Sequence, residues 1–404
     1  MKDKVVLAYS GGLDTSVILK WLTLKGYDVI AFAADIGQRE DFKALREKAY
    51  KSGASEVVIT DIKDGFARDF IIPCIQFNAR YEGRYLLGTS MARPCIAKEM
   101  VRIANLKKAK YVAHGATGKG NDQVRFEISV YALNPDLGVI VPWRDNEFRK
   151  LIPGRREAIE FAKKHNIPVK ATVKKPWSSD ENLMHISYES GILEEPAARP
   201  PEDMFERTRS AQKAPDKEEI ISVEFKKGIP TAINAKKMKL VEILLRLNEL
   251  GGRHSIGRID MVESRFVGMK SRGVYETPGG EILVTAHRDL EGITLDNGTI
   301  QLKETLMPRF SKLVYDGFWF TPEMDALKAL LKATQKYVTG RVKLALYKGR
   351  VMAIGRESDY SLYNQRIVSM EDDKGAFDQS LSTGFIKILS IPVRAHYQRT
   401  RIMR

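Results

Sequence analysis

The first 150 residues alternate short apolar runs with segments of helical periodicity. Apolar runs at residues 4–9, 29–34, 56–60, 111–114 and 139–142 are typical of strands buried on both faces. Apolar residues at helical spacing predict helices over residues 15–25 and 42–51, each followed by a glycine. This alternation predicts a parallel sheet with helices on both faces, the first strand central and the ligand at the carboxyl ends of the strands.

Beyond about residue 165 the pattern changes to a mixed α+β one. Breaker residues occur at 166–168 and 175–176, and the proline-rich, charged residues 194–215 predict a long surface excursion. The remaining signals predict a strand over 220–225, a helix over 239–250 ended by Gly251 and Gly252, a helix capped by Thr321, and a hairpin over 341–354 turning at 348–349.

These patterns predict an α/β fold in three parts. We expect a Rossmann-like, parallel-sheet nucleotide-binding domain over residues 1–165, an α+β domain over residues 166–365, and a C-terminal arm over residues 366–404. Residues 380–393 are apolar enough to need a covering surface, on their own chain or on a second subunit. The basic cluster that follows (Arg394, His396, Arg399, Arg401 and Arg404) is either a solvated tail or a contact for an anionic partner.

Composition narrows the class of protein. The 404 residues include 66 Lys+Arg against 51 Asp+Glu, a net charge of +15 that favours anionic ligands. Two cysteines, Cys74 and Cys95, are too few for a disulfide framework or a zinc cluster. With neither an apolar run of membrane-spanning length nor a leader-like N-terminus, we expect a soluble protein of a reducing compartment, the cytoplasm.

The sharpest motif is SGGLDTS at residues 10–16, between the first predicted strand and helix. Gly11 and Gly12 allow backbone N–H groups to surround an anion, and the helix start adds its positive dipole end. A Walker A loop would need a lysine after the glycines, which is absent. Two roles would account for an aspartate at position 14. It could bind a metal ion that bridges it to the phosphates, or it could hold the loop in shape.

This motif resembles the PP-loop of the N-type ATP pyrophosphatases. Members of that family cleave ATP between the α and β phosphates and transfer AMP to a carbonyl-type oxygen. A nitrogen or sulfur nucleophile then displaces the AMP. The motif alone does not choose among the family's substrates.

Two further segments carry candidate chemistry. HGATGKGNDQVRFE at residues 114–127 follows a predicted strand and places a hydroxyl, an amide and a carboxylate within six residues, with Arg125 as a planar fork for a carboxylate. GRYLLGTSMARP at residues 83–94 offers Arg84 and Arg93 to acidic groups. The six histidines lack metal-ligand spacing and are interpreted as structural or surface residues, except His114 beside the second loop.

Together the three segments resemble the argininosuccinate synthase family. KPWSS at 174–178, ESR at 263–265 and GVYETPGG at 273–280 match it as well, and the resemblance extends from about residue 3 to the C-terminus. It implies ATP-dependent ligation of L-citrulline and L-aspartate through a citrulline adenylate, with release of pyrophosphate and AMP. It also implies Mg²⁺, a homo-oligomer, expected to be a tetramer, and a site between domains, without nucleic-acid or membrane partners.

The resemblance also implies residue roles, with Asp14 and Asp122 as the catalytic residues. ATP contacts map onto Ala8, Tyr9, Ser10, Gly11, Gly12, Leu13, Asp14, Thr15, Ser16, Ala34 and Gly115. Aspartate contacts map onto Thr117, Asn121 and Asp122. Citrulline contacts map onto Tyr85, Ser90, Asn121, Arg125, Ser178, Ser187, Glu263 and Tyr275.

Two other classes of protein compete with this interpretation. A tRNA-modifying PP-loop enzyme is favoured by the basic charge, although a thiolation enzyme would need a reactive cysteine pair. A non-catalytic nucleotide- or RNA-binding protein would bind RNA with a steep salt dependence.

Overall fold

The computed structural model describes residues 2–168, 177–371 and 375–403. The predicted breaker at 175–176, the start of the KPWSS segment (174–176) and Arg404 lie outside the described residues. The chain forms two compact units, Met1–Tyr360 and Ser361–Arg404. No helix in the described part of the chain is both long and apolar enough to span a bilayer.

The first unit begins with a five-stranded, all-parallel sheet. Its strands are β1 (Lys4–Ala8), β2 (Asp28–Asp35), β3 (Glu56–Asp61), β4 (Tyr111–Ala113) and β5 (Gly138–Ile140). The strand order β3-β2-β1-β4-β5 confirms the expected central position of the first strand. The loops after β1, β2 and β4 therefore emerge at one edge of the sheet.

Helices cover both faces of this sheet. The α-helices up to residue 168 are α1 (Leu13–Leu24), α2 (Phe42–Lys51), α3 (Lys63–Phe66), α4 (Ile72–Gln76), α5 (Gly88–Lys107), α6 (Asp122–Leu133), α7 (Asn146–Leu151) and α8 (Arg155–Lys164). Buried side chains of α3 and α4 belong to a different core from those of β1. Along β1, Val5 and Leu7 belong to a core shared with α1 and α8, whereas Val6 belongs to a core shared with α5 and α6. Side chains alternate across a strand, so one apolar run supplies two cores.

The rest of the first unit contains two antiparallel sheets. One has the order β11-β12-β7-β6, with β6 (Ser178–Glu181), β7 (Ile186–Glu189), β11 (Arg258–Ser264) and β12 (Lys270–Glu276). The other has the order β10-β9-β8-β13-β14, with β8 (Glu219–Lys226), β9 (Ile229–Ile233), β10 (Lys236–Lys237), β13 (Gly340–Tyr347) and β14 (Arg350–Glu357). A parallel sheet followed by antiparallel sheets confirms the predicted fold class.

Four helices accompany these sheets: α9 (Leu240–Arg253), α10 (Pro278–Thr294), α11 (Asn297–Asp316) and α12 (Pro322–Thr334). Thr321 caps α12 as predicted, since its hydroxyl accepts from the N–H of Met324. The second unit contains α13 (Gln365–Val368) and α14 (Leu381–Ile402). The apolar side chains of α14, such as Phe385 and Ile388, are exposed in the single chain.

The predicted end of α9 at Gly251 and Gly252 is wrong, because the helix continues to Arg253. Close packing explains both glycines. A Cβ on Gly251 would lie 2.8 Å from Cβ of Pro278, and one on Gly252 would lie 2.2 Å from the carbonyl oxygen of Arg207. The two glycines leave room for neighbouring segments of the chain and do not end the helix.

The surface excursion predicted for residues 194–215 is also wrong in part. Met204 is fully buried, and Thr208 is 6% exposed. The segment is attached to the fully buried carboxylate of Glu276, which accepts from the N–H of Thr208 at 2.6 Å and of Glu206 at 3.0 Å. The carboxylate of Glu276, which is distant in the sequence, thus holds a segment in place whose composition is typical of a loop.

Candidate active site

A cavity of about 750 Å³ opens where the carboxyl edge of the parallel sheet meets the β11-β12-β7-β6 sheet. The predicted site residues on its lining are Asp14, Tyr85, Thr117, Asn121, Asp122, Arg125, Ser178, Ser187, Glu263 and Tyr275. They come from residues up to 125 and from residues 178 onward. The cavity is therefore lined both by the part of the chain that contains the parallel sheet and by the part that contains the antiparallel sheets.

The other predicted site residues lie outside this lining, as far as the structure describes it: Ala8, Tyr9, Ser10, Gly11, Gly12, Leu13, Thr15, Ser16, Ala34, Gly115 and Ser90. Ser90 is fully buried, close to Tyr85. Ala34 is the next-to-last residue of β2, and Gly115 follows β4. A Cβ on Gly115 would lie 3.1 Å from Cγ2 of Thr15, so the second loop lies against the first.

Hydrogen bonds fix the first loop between β1 and α1. The Ser16 hydroxyl donates to the carbonyl of Gly12 at 2.7 Å, and the Lys48 ammonium donates to the carbonyl of Gly11 at 2.6 Å. Gly11 has a φ of 71°, which favours glycine. The hydroxyls of Ser10 and Thr15 lie 3.1 Å apart. Carbonyls that point into the protein leave the backbone N–H groups to face an anion.

The backbone N–H groups at the start of α1 suit an anion. The N-cap of this helix is Gly12, and no side chain among the described residues caps it. Asp14 lies in the first turn, exposed to the cavity, and its carboxylate forms no hydrogen bond or ion pair with the described residues. The hypothesis that Asp14 shapes the loop is therefore not supported. Desolvation raises the pKa of Asp14, and Arg155 partly offsets this.

Two arginines and two aspartates form a charged cluster in the cavity wall. Asp122 accepts from Nε of Arg93 at 2.8 Å and from Nη1 of Arg125 at 3.0 Å. Arg93 also donates to Asp180 at 2.6 Å. Desolvation alone would raise the pKa of Asp122, but the two guanidinium groups more than offset it and hold that pKa below its usual value. Asp122 is therefore ionised at neutral pH.

Asn121 is fixed by a hairpin from the second sheet. Its side-chain oxygen accepts from the N–H of Phe266 at 2.9 Å, and Arg265 donates to the carbonyl of Lys119 at 3.2 Å. The NH₂ group of Asn121 forms no hydrogen bond with the described residues, so it is available to a ligand in the cavity that Asn121 lines. The hairpin between β11 and β12 thus holds the loop that carries Thr117 and Asn121.

Another part of the cavity wall is aromatic and acidic. Tyr85 stacks on Tyr275 with ring centroids 4.3 Å apart. Glu263 is 7% exposed and accepts from the hydroxyls of Tyr275 at 2.7 Å and Tyr315 at 2.6 Å. Burial raises the pKa of Tyr85 to about 12, with Arg125 opposing this shift. These tyrosines are therefore hydrogen-bonding groups and not proton acceptors at neutral pH.

Family models match nearly the whole chain. Residues 4–168 match the arginosuccinate synthase N-terminal HUP domain, and residues 177–396 match the arginosuccinate synthase C-terminal domain. The chain belongs to the argininosuccinate synthase family. It is an enzyme of this type, an ATP-binding ligase of arginine biosynthesis.

Individual members of the argininosuccinate synthase family are similar over their full length. The argininosuccinate synthase of Danio rerio is 53% identical over 400 residues, 98% of this chain and 96% of its own. That of Thermotoga maritima is 53% identical over 401 residues, 98% of both chains. That of Homo sapiens is 50% identical over 402 residues, 98% of this chain and 97% of its own.

Several residues in or near the cavity of the synthase carried a weak sequence signal or none. Arg93 was expected to meet acids, and its ion pairs with Asp122 and Asp180 confirm this. Arg84 forms no ion pair with an acid among the described residues, and its guanidinium donates to the backbone carbonyl of Asp260. Tyr315 carried no motif, and nothing near it in the sequence distinguishes it from a core tyrosine.

His185 is a buried residue beside the cavity wall that also had no sequence signal. It is fully buried, and its Nε2 lies 2.9 Å from the hydroxyl of Thr89. Its ring lies about parallel to those of Tyr85 and Tyr275, with centroids 6.0 and 5.9 Å away. A Cβ on Gly88 would lie 2.3 Å from this ring. His185 thus supports the aromatic wall, in agreement with the structural interpretation of the histidines.

We predict that His185 makes the stability of the synthase depend on pH. Burial lowers its pKa well below 6.5, and nearby arginines lower it further. The unfolded chain binds this proton at a higher pH than the folded chain does. The free energy of unfolding therefore falls as the pH drops below about 6.5, by up to ~1.4 kcal/mol per pH unit.

Thermal melting at about pH 7.5 and about pH 5.5 checks this, in the protein and in His185→Gln. The variant should lose less stability on acidification than the parent. Equal losses in the two proteins would contradict the prediction, because His185 would then not be the group that binds the proton.

Proposed function

We propose that the cavity joins L-citrulline to L-aspartate in two steps. ATP first transfers AMP to the ureido oxygen of citrulline and releases pyrophosphate. The amine of aspartate then attacks the ureido carbon, and AMP leaves with the former ureido oxygen. The observation that carries this proposal is that Asp14 from the first turn of α1, a carboxylate–guanidinium cluster and an acidic aromatic wall line one cavity.

The first loop is proposed to hold ATP. The uncapped N–H groups at the start of α1 suit the phosphates, and Gly115 on the neighbouring loop provides the far wall. Ala34, at the end of β2, is proposed to lie near the adenine. Developing phosphate charge then meets fixed N–H donors, which need no reorganisation during the reaction.

Asp14 is the residue we propose to hold Mg²⁺. Its chemistry fits this cation, because Mg²⁺ prefers carboxylate oxygens. The Asp14 carboxylate faces the cavity beside the proposed phosphate-binding turn and has no partner among the described residues. A bound Mg²⁺ would neutralise charge on the phosphate oxygens. Desolvation raises the pKa of Asp14, and a bound cation would offset this.

The cluster around Asp122 is proposed to receive aspartate. The side chains of Thr117 and Asn121 supply a hydroxyl and an amide for its carboxylates. An ionised Asp122 still has free lone pairs beyond its two arginine contacts, and these can orient the substrate's amine. Because its pKa is held low, Asp122 is proposed to orient the amine and not to take its proton.

The aromatic and acidic wall is proposed to receive citrulline. A zwitterion needs an anion for its ammonium group and a cation for its carboxylate, and Glu263 and Arg125 supply the two charges. The remaining proposed contacts are Tyr85, Ser90, Asn121, Ser178, Ser187 and Tyr275. Holding three charged substrates in one orientation supplies much of the rate.

ATP labelled at the α phosphate tests the proposed function. Labelled AMP should form only when both citrulline and aspartate are present. Labelled ADP, or AMP formed without citrulline, would overturn the substrate assignment.

The main alternative, a tRNA-thiolating enzyme, is not supported by the cysteines. Cys74 and Cys95 are both buried, and burial raises the pKa of each thiol, to about 12 for Cys95. Thiols of this kind are poor nucleophiles. The net charge of +15 also suits ATP and amino-acid carboxylates.

We also propose that the enzyme is a cytoplasmic homotetramer, with residues 1–165, 166–365 and 366–404 as its ATP-binding, synthetase and oligomerisation parts. The exposed apolar residues of α14 support an oligomerisation role for the arm. Light scattering should give a tetramer for the full chain and a monomer after deletion of residues from 380 onward. An unchanged tetramer would contradict the role of the arm.

A further inference from the structure

Both carboxylate oxygens of Glu263 are occupied by tyrosine hydroxyls. Tyr275, on the paired strand β12, donates to Oε2 at 2.7 Å. Tyr315, near the end of α11, donates to Oε1 at 2.6 Å. Tyr275 lines the cavity, whereas Tyr315 is fully buried behind it. The orientation of a cavity-lining carboxylate is therefore fixed by a residue outside the cavity.

The same residue also holds Arg125. Nε of Arg125 donates to the backbone carbonyl of Tyr315 at 2.8 Å. This carbonyl lies in the last turn of α11, which ends at Asp316, where carbonyls lack a partner within the helix. A guanidinium group at a helix C-terminus is also favoured by the helix dipole.

The end of α11 lies unusually close to Arg125. Gly317 has a φ of 92°, and a Cβ there would come 2.6 Å from Cα of Arg125. The Tyr315 ring stacks on Tyr81 with centroids 3.5 Å apart, and it lies 4.9 Å from the guanidinium carbon of Arg125. These contacts fix the orientation of the Tyr315 ring and therefore the direction in which its hydroxyl points.

We propose that Tyr315 is a positioning residue for the citrulline subsite, its hydroxyl orienting Glu263 and its carbonyl orienting Arg125. This inference rests on the proposed function, in which these two charges bind the two ends of the citrulline zwitterion. One turn of α11 then sets the directions in which the carboxylate and the guanidinium group face the substrate. Tyr315 acts through these groups and does not touch the substrate.

Replacing Tyr315 by Phe removes the hydroxyl and keeps both the ring and the backbone carbonyl. Oε1 of Glu263 then loses its donor, and a buried carboxylate without that donor turns toward other donors. We expect the KM for citrulline, and its Kd measured by titration calorimetry, to rise about tenfold. The KM for ATP should change less than about twofold, because the first loop is untouched.

Tyr81→Phe is the matched control. Tyr81 is the stacking partner of Tyr315, and its hydroxyl donates to the carbonyl of Ser264 at 2.7 Å and not to Glu263. We expect it to alter citrulline binding less than about threefold. Equal losses in the two variants, or a Tyr315→Phe variant with equal increases in KM for all three substrates, would show that Tyr315 only packs.

Gly317→Ala provides a second test if Tyr315→Phe does not fold. The added methyl group displaces Arg125 and leaves the Tyr315 hydroxyl in place, so citrulline binding should weaken while ATP binding persists. Normal citrulline affinity in a folded Gly317→Ala protein would overturn the inference. Failure of the unmodified protein to bind citrulline at all would instead overturn the proposed function.

Discussion

The Asp14→Asn variant is expected to fold normally and to turn over about a thousandfold more slowly, which corresponds to ~4 kcal/mol of lost transition-state stabilisation. The fold should persist because the Asp14 carboxylate forms no hydrogen bond or ion pair with the described residues. Turnover should fall because the carboxamide keeps the shape and loses the charge that would hold a cation beside the phosphates.

The measurement is kcat at saturating substrates, with thermal melting as the test of folding. Asp325→Asn is a suitable control, since Asp325 also lies in the first turn of a helix and is exposed, but does not line the cavity. Its kcat should be unchanged. A near-normal kcat in Asp14→Asn would show that this carboxylate takes no part in the reaction.

The Glu276→Gln variant is expected to be strongly destabilised, by about 3 kcal/mol or more. The Glu276 carboxylate is fully buried and accepts from the hydroxyl and N–H of Thr208, both at 2.6 Å. Its other oxygen accepts from the hydroxyl of Tyr188 and from the N–H of Glu206. An amide NH₂ cannot accept, so donors at one of these oxygens remain buried without a partner.

Chemical denaturation and thermal melting check this prediction, and limited proteolysis within residues 194–215 should become faster. Asp260→Asn is the control. Asp260 forms a two-pronged pair with Arg272, but the carboxylate is 40% exposed, so the expected loss is below about 1 kcal/mol. Equal losses of stability in the two variants would contradict the account of Glu276.

The sequence predicts those parts of the fold and of the site that depend on residues close together in the sequence. The apolar run of β1 and the glycines of residues 10–16 act locally, and both lie where expected. Gly251 and Gly252 were misinterpreted because their role depends on distant contacts, with Pro278 and with the carbonyl of Arg207. In the sequence, a glycine that allows two segments to pack closely cannot be distinguished from a glycine that ends a helix.

The missed residues are joined to the site by long-range bonds. Tyr315 reaches Arg125 across 190 positions and Glu263 across 52, and Thr208 reaches Glu276 across 68. No local pattern encodes such pairs, so sequence alone cannot rank Tyr315 above another buried tyrosine. The family resemblance supplied ten of the residues that line the cavity, whereas the structure supplies the residues that orient them.

The central claim is that AMP is transferred to the ureido oxygen of citrulline. The most direct measurement uses citrulline labelled with oxygen-18 at that oxygen, in a complete reaction with ATP, Mg²⁺ and aspartate, followed by mass spectrometry of the nucleotide product. The account predicts AMP that carries one labelled oxygen, because the bond formed to phosphorus is kept when the amine displaces AMP. Unlabelled AMP would contradict it.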